Sequence, residues 1–511
     1  MPLDQASLPP SPAPRPGVRR LLWVIDGALW AALAAFFVEA LRYHYGLASF
    51  PYQLYLTEGG DLQSARALLN GWDPWSVRYA PEYVNLYGIG YPWLVAQVSR
   101  FAASVNLIVL MRSVTASAIF LALGIVYRAL RAQRSPALVA AACCAALYAV
   151  LLFSVDTLSA RPDALIVALL LACIVLAQTP DLGYALGAGV LAGSAFYIKA
   201  NGLLVLAVVV SLYGMQRQWR LAILAAGAGV LAWLALAAIV LWRHPLFFEG
   251  SLAHMIHRRN FELSWMLRQW KNLYRFNRPW EFGLVAGFLW AYLKKRPLLP
   301  PGAWRLWAGV SALIFAALAT GPGGHTGAWL DYYHQLWIPA FVVAGALWLL
   351  AVGLPHRWVA LALLLNGALI LGIDEFYVPS FSPAQIQAWD EADAWVAQHP
   401  QGLYPSIFTS LSARHGGFVA DNDHSHGLDQ CFFGDHKELP EAFEARNISI
   451  LQALSRAEFQ SVVCGQGNRL CPDAAKLRSL GYVEARQFHL AIPYIKSVLD
   501  LVAYLPKNPP K

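Results

Sequence analysis

The chain of 511 residues is 58% hydrophobic and only 13% charged, with a mean hydropathy of +0.45, a balance that excludes an ordinary soluble globule and marks an integral membrane protein. The net charge of +8 is unevenly held: residues 374–511 carry 11 Lys and Arg against 16 Asp and Glu, and residues 1–373 carry 27 against 14. A basic apolar body and an acidic tail imply two environments, and no nucleotide-binding loop, zinc-finger spacing or nucleic-acid module interrupts either.

The first twenty residues, MPLDQASLPPSPAPRPGVRR, are Pro-rich and polar and end in Arg19 and Arg20. An apolar run of about 20 residues follows, long enough to span a bilayer. The run is too long for a cleaved signal and lacks a small-x-small site, so 1–20 reads as a cytoplasmic tail before a signal anchor.

A first extracytoplasmic loop is expected over 42–106. Its centre, EGGDLQSARALLNGWDPWSVRYAPEYVNLYGIGYPW, sets Glu58 and Asp61 three residues apart before a short helical pattern and a dense run of Trp, Tyr and Pro. Carboxylates can take a hydroxyl proton or hold a cation, and flat rings cover the apolar faces of sugars. The plainer reading is an interfacial helix capped by Asp61 and ended by Gly71, with Trp and Tyr as headgroup anchors.

The remaining apolar segments fall at 107–127, 137–153, 164–177, 184–197, 203–213, 221–242, 282–293, 307–320, 336–352 and 359–373, giving about eleven spans within 21–373. Arg128, Arg131, Arg134, Arg217, Arg220, Lys294, Lys295, Arg296 and Arg357 then fall on the cytoplasmic side, and the odd number of spans puts the acidic tail outside.

One outer segment, 243–279, breaks that charge rule with Arg243, Arg258, Arg259, Arg268, Lys271, Arg275 and Arg278, and with His254 and His257 among them. Such a segment needs an anionic partner, either a lipid-linked phosphate or ordinary phospholipid headgroups, and reads as surface or re-entrant helices over the outer mouth. SVDTLSARPDAL places Asp156, Arg161 and Asp163 where one span gives way to the next, although Pro162 and Asp163 also suit a helix start. Lys199 in AFYIKANGL lies between two apolar runs, where an ionisable side chain either serves a function or snorkels to the interface. GPGGHTGAWLDYYHQLWIP adds His325, Asp331, Tyr332, Tyr333 and His334 at the same outer level.

The tail, 374–511, is long enough for one soluble domain. SPAQIQAWDEADAWVAQH reads as an amphipathic helix; FTSLSARHGGFVA, FQSVVC and LGYVEARQFHL read as short strands or helix-to-strand turns of a small α/β domain. DNDHSHGLDQCFFGDH offers His-x-His and acids as metal ligands or as a polar loop, and Cys464 and Cys471 flank a polar loop where they can pair or stay reduced. Cys143, Cys144 and Cys173 read as packing residues.

The order of these landmarks resembles the membrane glycosyltransferases of the GT-C fold, the group of polyprenyl-phosphate-sugar-dependent enzymes that includes lipid A aminoarabinose transferases and protein mannosyltransferases. GGDLQSARALLNGWDPW resembles the family's acidic residue, short helix and Gly-x-x-Pro-aromatic loop; SARPDAL and AFYIKANGL resemble its next two landmarks. Glu-Gly-Gly-Asp stands where the family often has two acids adjacent or one apart.

The resemblance implies an all-α polytopic membrane protein with a small extracytoplasmic α/β domain, set in a bacterial-type inner membrane. It also implies a polyprenyl-phosphate sugar donor, a glycan, lipid or protein acceptor, and transfer with inversion. Asp61 would be the general base, and Glu58 would orient it or help hold a divalent cation. Lys199, Arg258 and Arg259 would hold the leaving phosphate, with His257, Asp163, Tyr333, His334, Trp75 and Tyr87 around the substrate.

Rival readings are a lipid-linked-sugar flippase, which favours midplane charges and matched halves not seen here, and a non-catalytic envelope scaffold. The orientation has its own check. A cysteine introduced into the tail is expected to react with a membrane-impermeant maleimide in intact cells, and one beside Arg128 only after permeabilisation; the reverse pattern overturns it.

Overall fold

The computed structural model describes residues 16–52, 54, 58–74, 88–153, 159–245, 247–248, 262–320, 332–372, 382–400, 402–405, 408–415, 452–465, 474–492 and 497–507. Each of the eleven apolar segments lies on a helix. In chain order these are α1 (Pro16–Ala48), α4 (Leu107–Ala132), α5 (Ala137–Phe153), α6 (Asp163–Ala177), α7 (Leu182–Ser194), α8 (Leu203–Met215), α9 (Trp219–Arg243), α10 (Leu263–Leu293), α11 (Trp304–Thr320), α12 (Ile338–Ala351) and α13 (His356–Leu371). Two shorter helices, α2 (Glu58–Leu69) and α3 (Gly90–Phe101), lie between α1 and α4. Four helices are both long and apolar enough to cross a membrane, namely α1, α4, α9 and the run Tyr333–Ala351. Six further apolar helices among the described residues are shorter, and α10 is long but carries its apolar segment only in its second half.

Packing is closest where α7 crosses α9. A Cβ added at Gly193 would lie 2.0 Å from the Gly229 carbonyl oxygen, and one at Gly189 would lie 2.2 Å from that of Ala225. Two small residues four apart on each helix let the backbones touch, which between apolar helices in lipid is the main source of packing energy.

The basic segment differs from its expectation. From Leu263 it is not a separate surface helix: Arg268, Lys271, Arg275 and Arg278 stand on the first half of the 31-residue α10, which continues through Pro279 into the apolar half. Proline breaks the local ladder, and two asparagines repair it. Asn277 Nδ2 donates to Leu273 O at 2.9 Å, and Asn366 of α13 accepts from the Trp280 amide at 3.4 Å. His257, Arg258 and Arg259 lie outside the described residues, as do Asp156, His325, Asp331 and the 421–436 His/Asp stretch.

In the tail, α14 (Pro383–Gln398) starts on a capping box of Ser382 and Gln385. The FTSLSAR stretch is not a strand but the short helix α15 (Thr409–Arg414). A four-stranded sheet is ordered β1 (Gly402–Leu403), β2 (Ser461–Gly465), β4 (Ser497–Pro506), β3 (Tyr482–Ile492). Strand β4, SVLDLVAYLP, was not foreseen from the sequence. It pairs antiparallel with both neighbours and carries the centre of the sheet.

Alternation gives the sheet two faces. Val462 and Tyr504 face Leu477 of the small helix α16 (Ala474–Ser479), while Val463, Phe488 and Ala503 join the core that continues through α14 into the helical bundle. Cys464 of β2 is disulfide-bonded, and Cys143, Cys144 and Cys173 are free and buried.

The tail is seated on the loop after α1. Tyr52 stacks on Trp389 of α14 with ring centroids 5.1 Å apart, and its hydroxyl donates to Asp390 at 2.5 Å. Burial first, then the bond to Asp390, raises the Tyr52 pKa well above its ordinary value, so the hydroxyl remains a donor through the physiological range. Arg414 of α15 lies over the same ring, 5.2 Å from its centroid, and donates to the Pro51 carbonyl at 3.3 Å.

The α7/α9 contact has a direct check in the purified protein's thermal midpoint. Gly193→Ala is expected to lower it by several degrees, because a backbone carbonyl cannot yield to the new methyl. Gly187→Ala, with nothing within 4 Å of the new Cβ, is expected to leave it unchanged or raise it.

Candidate functional site

Helix α2 begins at Glu58 rather than after Asp61, so Asp61 lies inside the first turn and is not the cap that the plainer reading requires. Gly71 ends the helix as expected: its φ is +73°, and the Trp72 amide reaches back to the Ala67 carbonyl at 2.8 Å, closing a Schellman turn.

The early start follows from what Glu58 holds. Its carboxylate is fully buried and takes a two-pronged grip from Arg112 of α4, Nε to Oε1 at 2.8 Å and Nη2 to Oε2 at 2.7 Å. It also accepts the amides of Leu54 at 2.7 Å and Ala160 at 2.8 Å. Four donors fill the roughly four acceptor positions of a carboxylate, so none remains for a cation or a substrate hydroxyl. The guanidinium in turn donates to the carbonyls of Phe50 at 2.6 Å and Tyr52 at 2.7 Å.

A residue inside an apolar span therefore fixes α1's exit, α2 and the turn before α6 in one knot. Sequence reading missed Arg112, although an arginine within LIVLMRSVTASAIF is a costly placement that could have flagged it.

Asp61 is buried one turn further along α2 and lies within electrostatic reach of Tyr91 of α3. The Tyr91 hydroxyl bonds to Met111 O and to Thr115 Oγ1, each at 3.0 Å, and Thr115 donates to Arg161 O at 3.4 Å. Arg161 and Asp163 open α6, where Asp163 receives Arg161 at 3.7 Å and is hydrogen-bonded to Lys199 Nζ. Lys199 is 6% exposed, which excludes snorkelling to open water. Its ammonium sits 5.2 Å from the centroid of the Tyr332 ring. Extended backbone at Lys199, between the short turns Ala195–Tyr197 and Ala200–Gly202, turns the side chain out of the α7–α8 hairpin.

The Gly88-Ile89-Gly90 stretch lies directly on that hairpin. A Cβ at Gly88 would fall 2.1 Å from Tyr197 O, so only glycine lets the end of the aromatic loop approach Lys199's neighbours. A second tie, also absent from the sequence reading, joins Asp73 to His244 at the end of α9 at 2.8 Å.

Two expected residues are placed less directly. Tyr333 is buried against Phe315 and accepts from Trp270 Nε1 at 3.2 Å, and His334 is buried on the same turn. Trp75, Tyr87, His257, Arg258 and Arg259 lie outside the described residues. No group of three or more His, Cys, Asp and Glu able to hold a metal occurs among the described residues.

No protein-family model matches this sequence, and no curated protein matches it. Among solved structures the chain is similar to ArnT from Cupriavidus metallidurans bound to undecaprenyl phosphate, with a TM-score of 0.50 and 14% identity over 92% of this chain and 97% of that one. The apo state of the same protein gives 0.49 and 15% over 93% and 98%. The first likeness shows the GT-C fold, that of a lipid A aminoarabinose transferase, across almost the whole length.

The Glu58 knot predicts a stability effect separable from chemistry. Glu58→Gln leaves a buried guanidinium without its counter-charge and is expected to cost about 3–5 kcal/mol, read as loss of monodisperse protein in fluorescence-detected size exclusion. Asp61→Asn, which leaves the pair intact, is expected to elute as wild type.

Proposed function

We propose that this chain is an integral membrane glycosyltransferase that moves a sugar from a polyprenyl-phosphate donor to an acceptor on the tail-domain side of the membrane, with inversion at the anomeric carbon. One observation carries the reading. Within a GT-C fold, a buried carboxylate, Asp61, lies within electrostatic reach of Tyr91, whose hydroxyl leads through Thr115 to the Arg161 carbonyl at the start of α6, where Asp163 holds the buried Lys199.

The chemistry needs both. The acceptor oxygen forms its bond to the anomeric carbon as the bond from that carbon to the lipid phosphate breaks. The phosphate leaves with the electron pair, and the acceptor proton passes to Asp61. A carboxylate held dry and close to the hydroxyl takes the proton as nucleophilicity is needed. Arg161, Asp163 and Lys199 carry one formal positive charge in excess, and it lies where the leaving phosphate gains negative charge. Asp163 is assigned the positioning of Lys199. Glu58, saturated by protein donors, is assigned to holding α2, so no step runs through a cation there.

Arg258 and Arg259 remain proposed phosphate contacts, His257 a proposed substrate contact, and Trp75 and Tyr87 proposed sugar-facing rings; Tyr333 and His334 would shape the wall behind Lys199. The amino end is placed in the cytoplasm and the tail, 374–511, outside. The ArnT structure was solved with undecaprenyl phosphate bound, which supports a polyprenyl phosphate as the lipid partner here.

Transfer from a polyprenyl-phosphate sugar in liposomes tests the assignment. Asp61→Asn is expected to lose about two to four orders of magnitude in turnover while remaining folded. Lys199→Gln is expected to weaken donor use by roughly 1.5–3 kcal/mol. Normal turnover in Asp61→Asn would remove it as the base; lipid-linked sugar that crosses the bilayer without transfer in the wild type would support a flippase.

A further inference from the structure

On a flank of α2 separate from Asp61 lies a cavity of about 1120 Å³, which no step of the transfer reaction uses. It is enclosed by three parts of the chain: Leu62, Arg66, Leu69 and Asn70 of α2; the α3–α4 connection from Ser99 to Ile108; and Ser410 and Arg414 of the tail helix α15. Among the described residues its lining includes three arginines, Arg66, Arg100 and Arg414, and no aspartate or glutamate.

The walls are built rather than incidental. The Pro51 carbonyl accepts from Asn106 Nδ2 at 3.0 Å and from Arg414 Nη2 at 3.3 Å, so one backbone oxygen fixes lining residues from both sides. Asn106 Oδ1 also caps α4 through the Ile108 amide at 3.1 Å. Arg414 is oriented by Asp393 of α14 at 2.5 Å, behind the cavity wall, and Asp393 also takes His415 at 2.9 Å. Arg100 is exposed and bonded to Gln97 at 3.0 Å.

The rim shows what the cavity faces. Val105, part of the lining, is exposed, and Phe101, next to Arg100 in the chain, is 93% exposed; Trp93 is exposed about two turns earlier on the same helix. Large apolar side chains held open beside an arginine cluster suit the boundary where acyl chains meet headgroups: the rings enter the acyl layer and the cations lie at phosphate depth.

We propose that this cavity binds the phosphate-bearing headgroup of an anionic lipid, and that the site is complete only while the tail domain is docked, because α15 supplies Ser410 and Arg414. Arg66 and Arg100 would take the phosphate oxygens, Ser104, Asn70 and Ser410 would meet the polar remainder of the headgroup, and the apolar rim would receive the chains. The site stands apart from the transfer reaction and does not depend on it.

The test uses the full-length purified protein in two arms. In nanodiscs of phosphatidylcholine with 20% phosphatidylglycerol, native mass spectrometry is expected to show selective, saturable retention of phosphatidylglycerol. In neutral detergent, calorimetry with inorganic phosphate asks whether the phosphate group alone suffices. The Arg66→Gln/Arg100→Gln double variant is expected to weaken retention about tenfold or more. Arg128→Gln/Arg217→Gln, an equal charge loss at the ends of α4 and α8 away from the cavity, is expected to change nothing. Should the double variant not fold, Arg100→Gln alone, at an exposed position, carries the comparison.

Phosphate binding with the same sensitivity but no preference for phosphatidylglycerol would keep the phosphate chemistry and assign it to a soluble ester. Absence of saturable binding of both probes to the wild type, or wild-type binding by the variant, overturns the proposal. Arg414→Gln in the full-length protein, which alters the wall that the tail supplies, is further expected to weaken the preference.

Discussion

The buried pair of Glu58 and Arg112 is the constraint on which the tail-bearing end of this molecule depends. Two opposite charges inside a protein seldom repay their desolvation by mutual attraction alone, and they persist where the remaining donors and acceptors are also satisfied. That condition is met here by the Leu54 and Ala160 amides on one partner and by the Phe50 and Tyr52 carbonyls on the other. Each of those backbone groups belongs to a segment without a regular ladder of its own, so the pair takes the place of secondary structure for the chain between α1 and α2 and for the turn before α6.

Its position explains how a polar site can be held at the edge of a bilayer. The Ala160 amide accepted by Glu58 lies three residues before Asp163, which holds Lys199. One ion pair thus sets the height of the α6 terminus, and a second hangs from it. Asp61 stands on the helix that the first pair anchors. Preorganised charge needs supports that do not relax when charge develops, and both candidate groups are one short, fully bonded step from the same knot. The glycines at 88 and 90 close the arrangement from the other side by laying the aromatic loop's end on the backbone beside Lys199.

Much of this was legible in the residues. The apolar segments announced the helices because spanning requires long runs without charge. Gly71 marked the end of α2 because only a left-handed residue closes that turn cheaply. Lys199 and Asp163 stood out as ionisable groups at the ends of apolar runs, yet their pairing was hidden, since 36 residues separate them and only the α6–α8 packing brings them together. Arg112 was hidden for the opposite reason: a lone charge in a convincing span reads as an exception until its partner is seen. Glu58 was assigned chemistry by its closeness to Asp61, but its carboxylate is taken up by Arg112 and by the Leu54 and Ala160 amides, partners that lie 54, 4 and 102 residues away in the chain. Strand β4 was missed because SVLDLVAYLP is too apolar to alternate, as expected of a central strand buried on both faces.

The tail is tied to this same knot. The loop whose carbonyls Arg112 holds presents Phe50 and Tyr52 to Trp389, and Tyr52 reaches Asp390 while Arg414 lies over its ring. A soluble domain attached by a linker would ordinarily move relative to its bundle, because an aqueous interface between them is small and polar. Here the contact instead continues the apolar core: Trp389, Trp395 and Phe408 pack as part of the cluster that includes the helices. Undocking would expose stacked aromatics at the membrane surface and strip Tyr52 and Pro51 of their partners. The tail is therefore held to the body by buried rings and hydrogen bonds, so high salt, which screens exposed charge, would leave most of that attachment in place.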